Sequence, residues 1–275
     1  MNTIALLFSQ ALLFPQQHDI FLEVVGTPED KPWAFFAPHE NERVVNQHVA
    51  KQILKHGGVF VVLRQNGERH IQLNIEGQIF EIDPNRIFTD LGRRATLAKQ
   101  NPNLAKGSKL YDKALARTEK LANFILDSMG AKQATSWIAI HNNTNGYDND
   151  GHNGRGTISI NRYEKKLATG ANYLIKVNNS GVDEDDLFFI TKPEDYVAMS
   201  DANWNVVLQN PAVANDPSED DGSLSVLAEK HGKRYVNVEA ERADNGFGVD
   251  HLEVQKKMVD LTFNLLMKPK AKQPK

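Results

Sequence analysis

Short apolar runs that each stop at a histidine or a carboxylate constrain this chain more than any other feature. Trp33-Ala-Phe-Phe-Ala37 ends at Pro38, and His39 and Glu42 follow, three residues apart. An unbroken apolar run of that length, rich in aromatic residues, fits a strand buried on both faces of a parallel or mixed sheet. Polar residues just beyond the carboxyl end of such a strand stand where open α/β sheets place their ligands. Ser136-Trp-Ile-Ala-Ile140 repeats the pattern and delivers His141, and Tyr235-Val-Asn-Val238 delivers Glu239. Gln78-Ile-Phe-Glu-Ile82 leads into Asp83-Pro-Asn85-Arg86. The expected fold is a single α/β domain with a central mixed sheet of about eight strands, helices on both faces and all four polar termini on one rim.

The connections agree with this. Val44 to His56 reads as a helix stopped by Gly57-Gly58, the usual glycine C-terminus. Ser108 can cap a helix running to about Met129, with Leu110, Leu115, Leu121 and Ile125 on one side. Leu252 to Met267 has the spacing of an amphipathic C-terminal helix. Residues 89–107 read as a polar connection, and a strand is expected near Thr157–Ile160. The Asn-, Gly- and Asp-rich stretch 142–156 and the segment 211–222 read as loops. The acidic runs Asp183-Glu-Asp-Asp186 and Ser218-Glu-Asp-Asp221 read as solvated loop segments.

The N-terminus leaves two readings open. The apolar run within residues 1–19 has the length of a signal-peptide core, but no basic residue precedes it. It is a signal remnant or the first element of the fold, and an exported and a cytoplasmic location both remain compatible. The run is too short to span a bilayer. The catalytic domain is expected over 20–268, followed by a basic tail at 269–275.

Several function classes fall away. There are no cysteines, which removes disulfides, thiolate metal ligands and a thiol nucleophile together. The net charge is −3, and the one basic cluster is the terminal tail, so a nucleic-acid partner is not expected. The sequence holds no Gly-x-Ser-x-Gly elbow, phosphate-binding loop or dinucleotide fingerprint.

Two imidazoles and one carboxylate, with a fourth position open to water, are a common ligand set for a catalytic zinc. His39, Glu42 and His141 supply it, with His152 a rival lying mid-loop. Glu239 is a candidate general base, with Glu241 as the alternative on the same strand face. Arg86 offers a fork for a substrate carboxylate.

In this order the residues resemble the zinc carboxypeptidase superfamily. The resemblance is carried by His39-x-x-Glu42, Asp83-x-Asn85-Arg86, His141, Gly222-Ser-Leu-Ser and Tyr235-x-x-x-Glu239. The spacing from Glu42 to His141 is similar to that of the succinylglutamate desuccinylase and aspartoacylase branch. The resemblance implies one zinc per chain held by His39, Glu42 and His141. It implies Asp83 as the carboxylate orienting a zinc histidine, Asn85 and Arg86 as binders of a substrate carboxylate, and Glu239 as the general base. The superfamily also holds peptidoglycan-trimming peptidases, so the implied substrate is a small peptide, a cell-wall peptide included, or an N-acyl amino acid, cleaved at an amide beside a free carboxylate. Three family features lack a match. Val206–Asp221 contains no tyrosine, Ser225-Val226 stands where Asp-Trp is usual, and Arg69, Arg93 and Arg94 compete for the carbonyl-polarising arginine. The alternative is a zinc-peptidase-like fold retained as a binding module.

Overall fold

The structure, a computed structural model, describes residues 10–148 and 150–268. Residues 1–9 and 269–275, where most of the apolar N-terminal segment and the basic tail fall, lie outside the described residues.

Eleven strands form within the described residues: β1 (Gln10–Leu13), β2 (Phe21–Gly26), β3 (Trp33–Ala37), β4 (Val59–Arg64), β5 (Ile71–Ile75), β6 (Gln78–Ile82), β7 (Ser136–Asn143), β8 (Leu174–Asn178), β9 (Leu187–Ile190), β10 (Asn205–Gln209) and β11 (Arg234–Glu241). The helices are α1 (Asn46–His56), α2 (Asp90–Gln100), α3 (Lys109–Ser128), α4 (Ile160–Ala168), α5 (Pro193–Asp201), α6 (Leu224–Lys230) and α7 (Leu252–Met267). Nine strands make one mixed sheet in the order β1-β2-β4-β3-β7-β11-β9-β10-β8, and β5 pairs with β6 in a separate two-stranded sheet. The α/β architecture expected from the apolar runs is the one found.

The centre of the large sheet is parallel. β3 pairs in parallel with both β4 and β7, and β7 with β11. Every residue of β3 and β7 is buried, as a strand covered on both faces requires. Side chains alternate between two cores. Phe36, Val61, Ala139 and Tyr235 pack with residues of α2, α3 and α6. Phe35, Phe60, Ile138 and Val238 pack with residues of α1, α5 and α7. Phe35 stacks on Phe263 of α7 with ring centroids 4.7 Å apart. Burying one such side chain is worth about 1.5–3 kcal/mol, so these rings anchor the helices that frame the sheet.

Local chemistry sets the element ends. The Ser108 hydroxyl accepts from the Tyr111 N–H and starts α3, as the sequence indicates. After α1, Gly57 and Gly58 take φ of 83° and 95°, and a Cβ on Gly58 would come within 2.4 Å of the Trp33 ring. β1 pairs antiparallel with β2, and Phe14 is buried behind it.

Three details differ from the sequence reading. The connection 89–107 contains α2, whose buried side is made of Gly92, Thr96 and Leu97, too weak an apolar signal to register as a helix. The strand expected near Thr157–Ile160 is absent, because Ile160 opens α4, and Tyr163 and Leu167 follow at helical spacing. Finally, β6 lies outside the main sheet. Asp83 to Arg86 therefore reach the site from the hairpin sheet, and the large sheet carries three of the four polar termini.

Candidate metal and catalytic site

Because β3, β7 and β11 run parallel, their carboxyl ends share one rim of the sheet. His39 follows β3 and is fully buried; Glu42 is next to it and 1% exposed. The Glu42 N–H closes the turn by donating to the His39 carbonyl at 3.1 Å. His141 sits near the end of β7, and Glu239 is its register partner on β11. Strand pairing thus sets an imidazole and a carboxylate side by side on one sheet face.

Ligand-capable atoms of His39, Glu42 and His141 lie within 4.8 Å of one another. His39 Nδ1 is 3.0 Å from the Arg69 carbonyl, and its Nε2 is 3.6 Å from Asp83 Oδ1. His141 Nδ1 is 2.8 Å from Glu42 Oε2, which also accepts from the Asn142 N–H at 3.2 Å. The Arg69 guanidinium pairs with Glu42 Oε1. The Nε2 atoms of both histidines are buried and have no hydrogen-bond partner among the described residues. A buried ring nitrogen without a partner is costly unless something meets it.

The electrostatics suit a cation. Burial pulls His39 down to about 4, against the pull of Glu42, so its imidazole is neutral at pH 7 and its lone pair is free. Burial pushes the Glu42 carboxyl up, but His39, His141 and Arg69 together hold it well below the usual carboxylate range. The donor set, its burial and its two unsatisfied nitrogens fit zinc.

Asp83 caps the short turn Pro84–Arg86 by accepting from the Asn85 N–H at 2.9 Å. Burial raises its carboxyl, yet His39, Arg69 and Arg86 outweigh that and keep it ionised. Its Oδ1 stands on the Nε2 side of His39, 3.6 Å away and without a hydrogen bond, while the Arg69 carbonyl holds the ring at Nδ1. Glu239 is 6% exposed. The Asn237 amide donates to its Oε1 at 3.0 Å. Burial raises the Glu239 carboxyl, His141 counters, and Glu42 raises it further.

Glu239 opens onto a cleft of about 440 Å³, lined also by Asn85, Arg86, Tyr163, Tyr235 and Asn237. Arg86 pairs there with Asp221 at 2.8 Å. Two glycines hold this wall close: a Cβ on Gly92 would lie 2.1 Å from the Gly222 Cα, and the Phe88 N–H donates to the Gly222 carbonyl at 3.0 Å. The tyrosines come from α4 and β11, not from the loop preceding Gly222. Their burial, with Glu239 close by, raises both hydroxyls and keeps them protonated. Helical spacing at Ile160, Tyr163 and Leu167 is the sequence signal that could have revealed Tyr163.

The sequence-derived residues therefore come together: His39, Glu42, His141 and Asp83 in one cluster, Glu239 beside it, and Asn85 and Arg86 on the shared cleft. Arg69 joins them through Glu42. Arg93 points elsewhere, to the Ile87 carbonyl and Glu119, and Arg94 pairs with Asp90. Glu241 turns to other partners, the Val249 N–H and the Asn145 amide.

No family model matches the sequence, and a search of curated proteins finds no match. Among solved structures, the tripeptide-bound cell shape determinant Csd4 of Helicobacter pylori is similar at TM-score 0.44 and 12% identity, covering 91% of this chain and 56% of that one. Its product-bound form gives the same values. An aspartoacylase family protein of Mesorhizobium loti is similar at TM-score 0.37 and 12% identity, covering 95% of this chain and 67% of that one. The chain spans a little over half the length of the Csd4 chains it matches.

Proposed function

We propose that this chain is a zinc-dependent hydrolase of an amide bond next to a free carboxylate, in a small peptide or an N-acyl amino acid. The observation that carries the reading is the buried His39, Glu42 and His141 cluster with Glu239 in register beside it. A zinc held by those three residues would acidify a bound water and polarise a carbonyl. Glu239, raised by burial yet hydrogen bonded by Asn237, takes a proton from water and returns it to the leaving amine. Arg86 and Asn85 orient the substrate through its carboxylate, a bidentate acceptor that suits the guanidinium fork. The Arg69 carbonyl holds the His39 ring at Nδ1, and Asp83 adds a negative charge on its Nε2 side. The zinc carboxypeptidase resemblance assigns the same roles to these residues, except that it has Asp83 orient the histidine.

The binding-module alternative draws on one observation: Arg69 and Arg86 are both engaged by carboxylates of the chain itself, Glu42 and Asp221. Turnover separates the two readings. Purified protein, with and without a chelator, is assayed on C-terminally free peptides, N-acyl amino acids and cell-wall stem peptides. Chelator-sensitive release of an amine supports the hydrolase. Zinc-loaded protein that binds such a compound without cleaving it is a binding module.

A further inference from the structure

Glu241 lies two residues past Glu239 on β11 and is 1% exposed. Its carboxylate joins a second cluster. Ligand-capable oxygens of Asp183, Asp185 and Glu241 lie within 4.8 Å of one another, and Asp183, Asp186 and His251 form an overlapping group of the same span. Asp185 and Asp186 are buried, at 0% and 1% exposure, while Asp183 is exposed. Asp183 belongs to both groups, and the other carboxylates, Asp185, Asp186 and Glu241, are buried. Among the described residues, the ion pairs of this cluster are those of His251, whose Nδ1 is 2.9 Å from Asp186 and whose Nε2 is 3.6 Å from Glu241.

An acidic cluster alone is commonplace on a protein surface. This one holds an unsatisfied atom. Asp185 Oδ2 accepts from the Gly146 N–H at 2.6 Å, but Asp185 Oδ1 is buried with no hydrogen-bond partner among the described residues. A carboxylate oxygen stripped of water and left unpaired is strongly unfavourable. Burial, together with Asp183, Glu184 and Glu241, pushes the Asp185 carboxyl up to about 8. Either a proton or a cation can relieve this. A proton would neutralise Asp185 and let its Oδ1 donate to a facing carboxylate, but would leave the charges of Asp183 and Glu241 uncompensated by a cation. A cation would meet Asp185 Oδ1 and offset the charge of all three carboxylates.

We propose that Asp183, Asp185 and Glu241 form a second cation site, selective for calcium, beside the His39 cluster and separate from it. The donors are all carboxylate oxygens, the set that hard cations take. They come from the segment before β9 and the end of β11, and Gly146 brings the loop after β7 to the same place. Asp186, tied to His251, closes one side. The Asn143 amide donates to the Asp185 carbonyl at 2.9 Å and lies 3.5 Å from Glu239 Oε2. Calcium here would stiffen the segments that flank Glu239.

The test uses zinc-loaded full-length protein titrated with calcium chloride or magnesium chloride by calorimetry, with thermal unfolding in parallel. One calcium per chain is expected beyond the zinc, with Tm rising on calcium and little affected by magnesium. Asp183→Asn, exposed and so tolerated by the fold, and Asp185→Asn, which removes the strained charge, should each weaken calcium binding about tenfold or more. Zinc content should stay at the wild-type level in both. The assignment is overturned if millimolar calcium is not taken up, or if both variants bind it as wild type does. Binding of manganese or zinc in place of calcium at these residues would also overturn it.

Discussion

Arg86 Nη1 lies 2.8 Å from Asp221 Oδ2 in the wall of the cleft onto which Glu239 opens. Their side chains are 41% and 51% exposed, so the pair is worth about 1 kcal/mol at most. A substrate carboxylate can therefore replace Asp221 at little cost. Asp221→Asn should lower KM for a free-carboxylate substrate by about 2- to 5-fold, the equivalent of losing such a competitor. Arg86→Ala should raise KM for that substrate and leave its amidated twin nearly unaffected. Equal damage to both would show that Arg86 does not read the carboxylate.

Zinc content tests the ligand set directly. Wild-type protein should hold about one zinc per chain, and His39→Ala should lose most of it, because two remaining ligands bind zinc far more weakly than three. Metal analysis on protein shown to be folded by circular dichroism is the measurement. Undiminished zinc in the variant would remove His39 from the site.

Glu239→Gln separates the base from the ligands. The amide keeps the size of the side chain and an oxygen to accept from the Asn237 amide but cannot take a proton. The variant should keep its zinc and lose about 10²- to 10⁴-fold in turnover. A near-normal kcat would assign the proton transfer to another group.

Gly92→Ala probes how backbone packing reaches the chemistry. The new Cβ would come within 2.1 Å of the Gly222 Cα, and backbone cannot yield as a flexible side chain can. The loop must move, and Asp221 moves with it. A destabilisation of about 1–3 kcal/mol is expected from overpacking, measured by urea unfolding, together with a changed KM. Unaltered stability and KM would mean that the loop relaxes without cost.

Much of the site was legible in the sequence because its residues hang on strand ends. Trp33–Ala37 and Ser136–Ile140 are apolar enough to be buried on both faces, and whatever follows such a strand is forced to the rim. His39, His141 and Glu239 could be placed that way. Arg69 could not. It precedes β5 in a polar turn, and its pairing with Glu42 depends on how the hairpin sheet sits over the rim. The same tertiary placement hid the separate origin of Asp83 to Arg86. α2 was missed because its buried side uses a glycine, a threonine and one leucine. The acidic run Asp183–Asp186 reads as solvated from composition, yet strand β11 draws Asp185 and Asp186 out of water. Neither effect leaves a periodic trace.

The in-register pairing of β7 with β11 also has a temporal meaning. Glu42 and His141 are 99 residues apart, and Glu239 comes later still in the sequence. Contacts of such separation form late, after local helices and hairpins. A slip of one residue between β7 and β11 would turn Glu239 to the opposite face. A chain with β11 undocked therefore has the His39, Glu42 and His141 cluster without Glu239 beside it. In a refolding experiment, hydrolysis should return after the helical signal, reporting the docking of the last parallel strand.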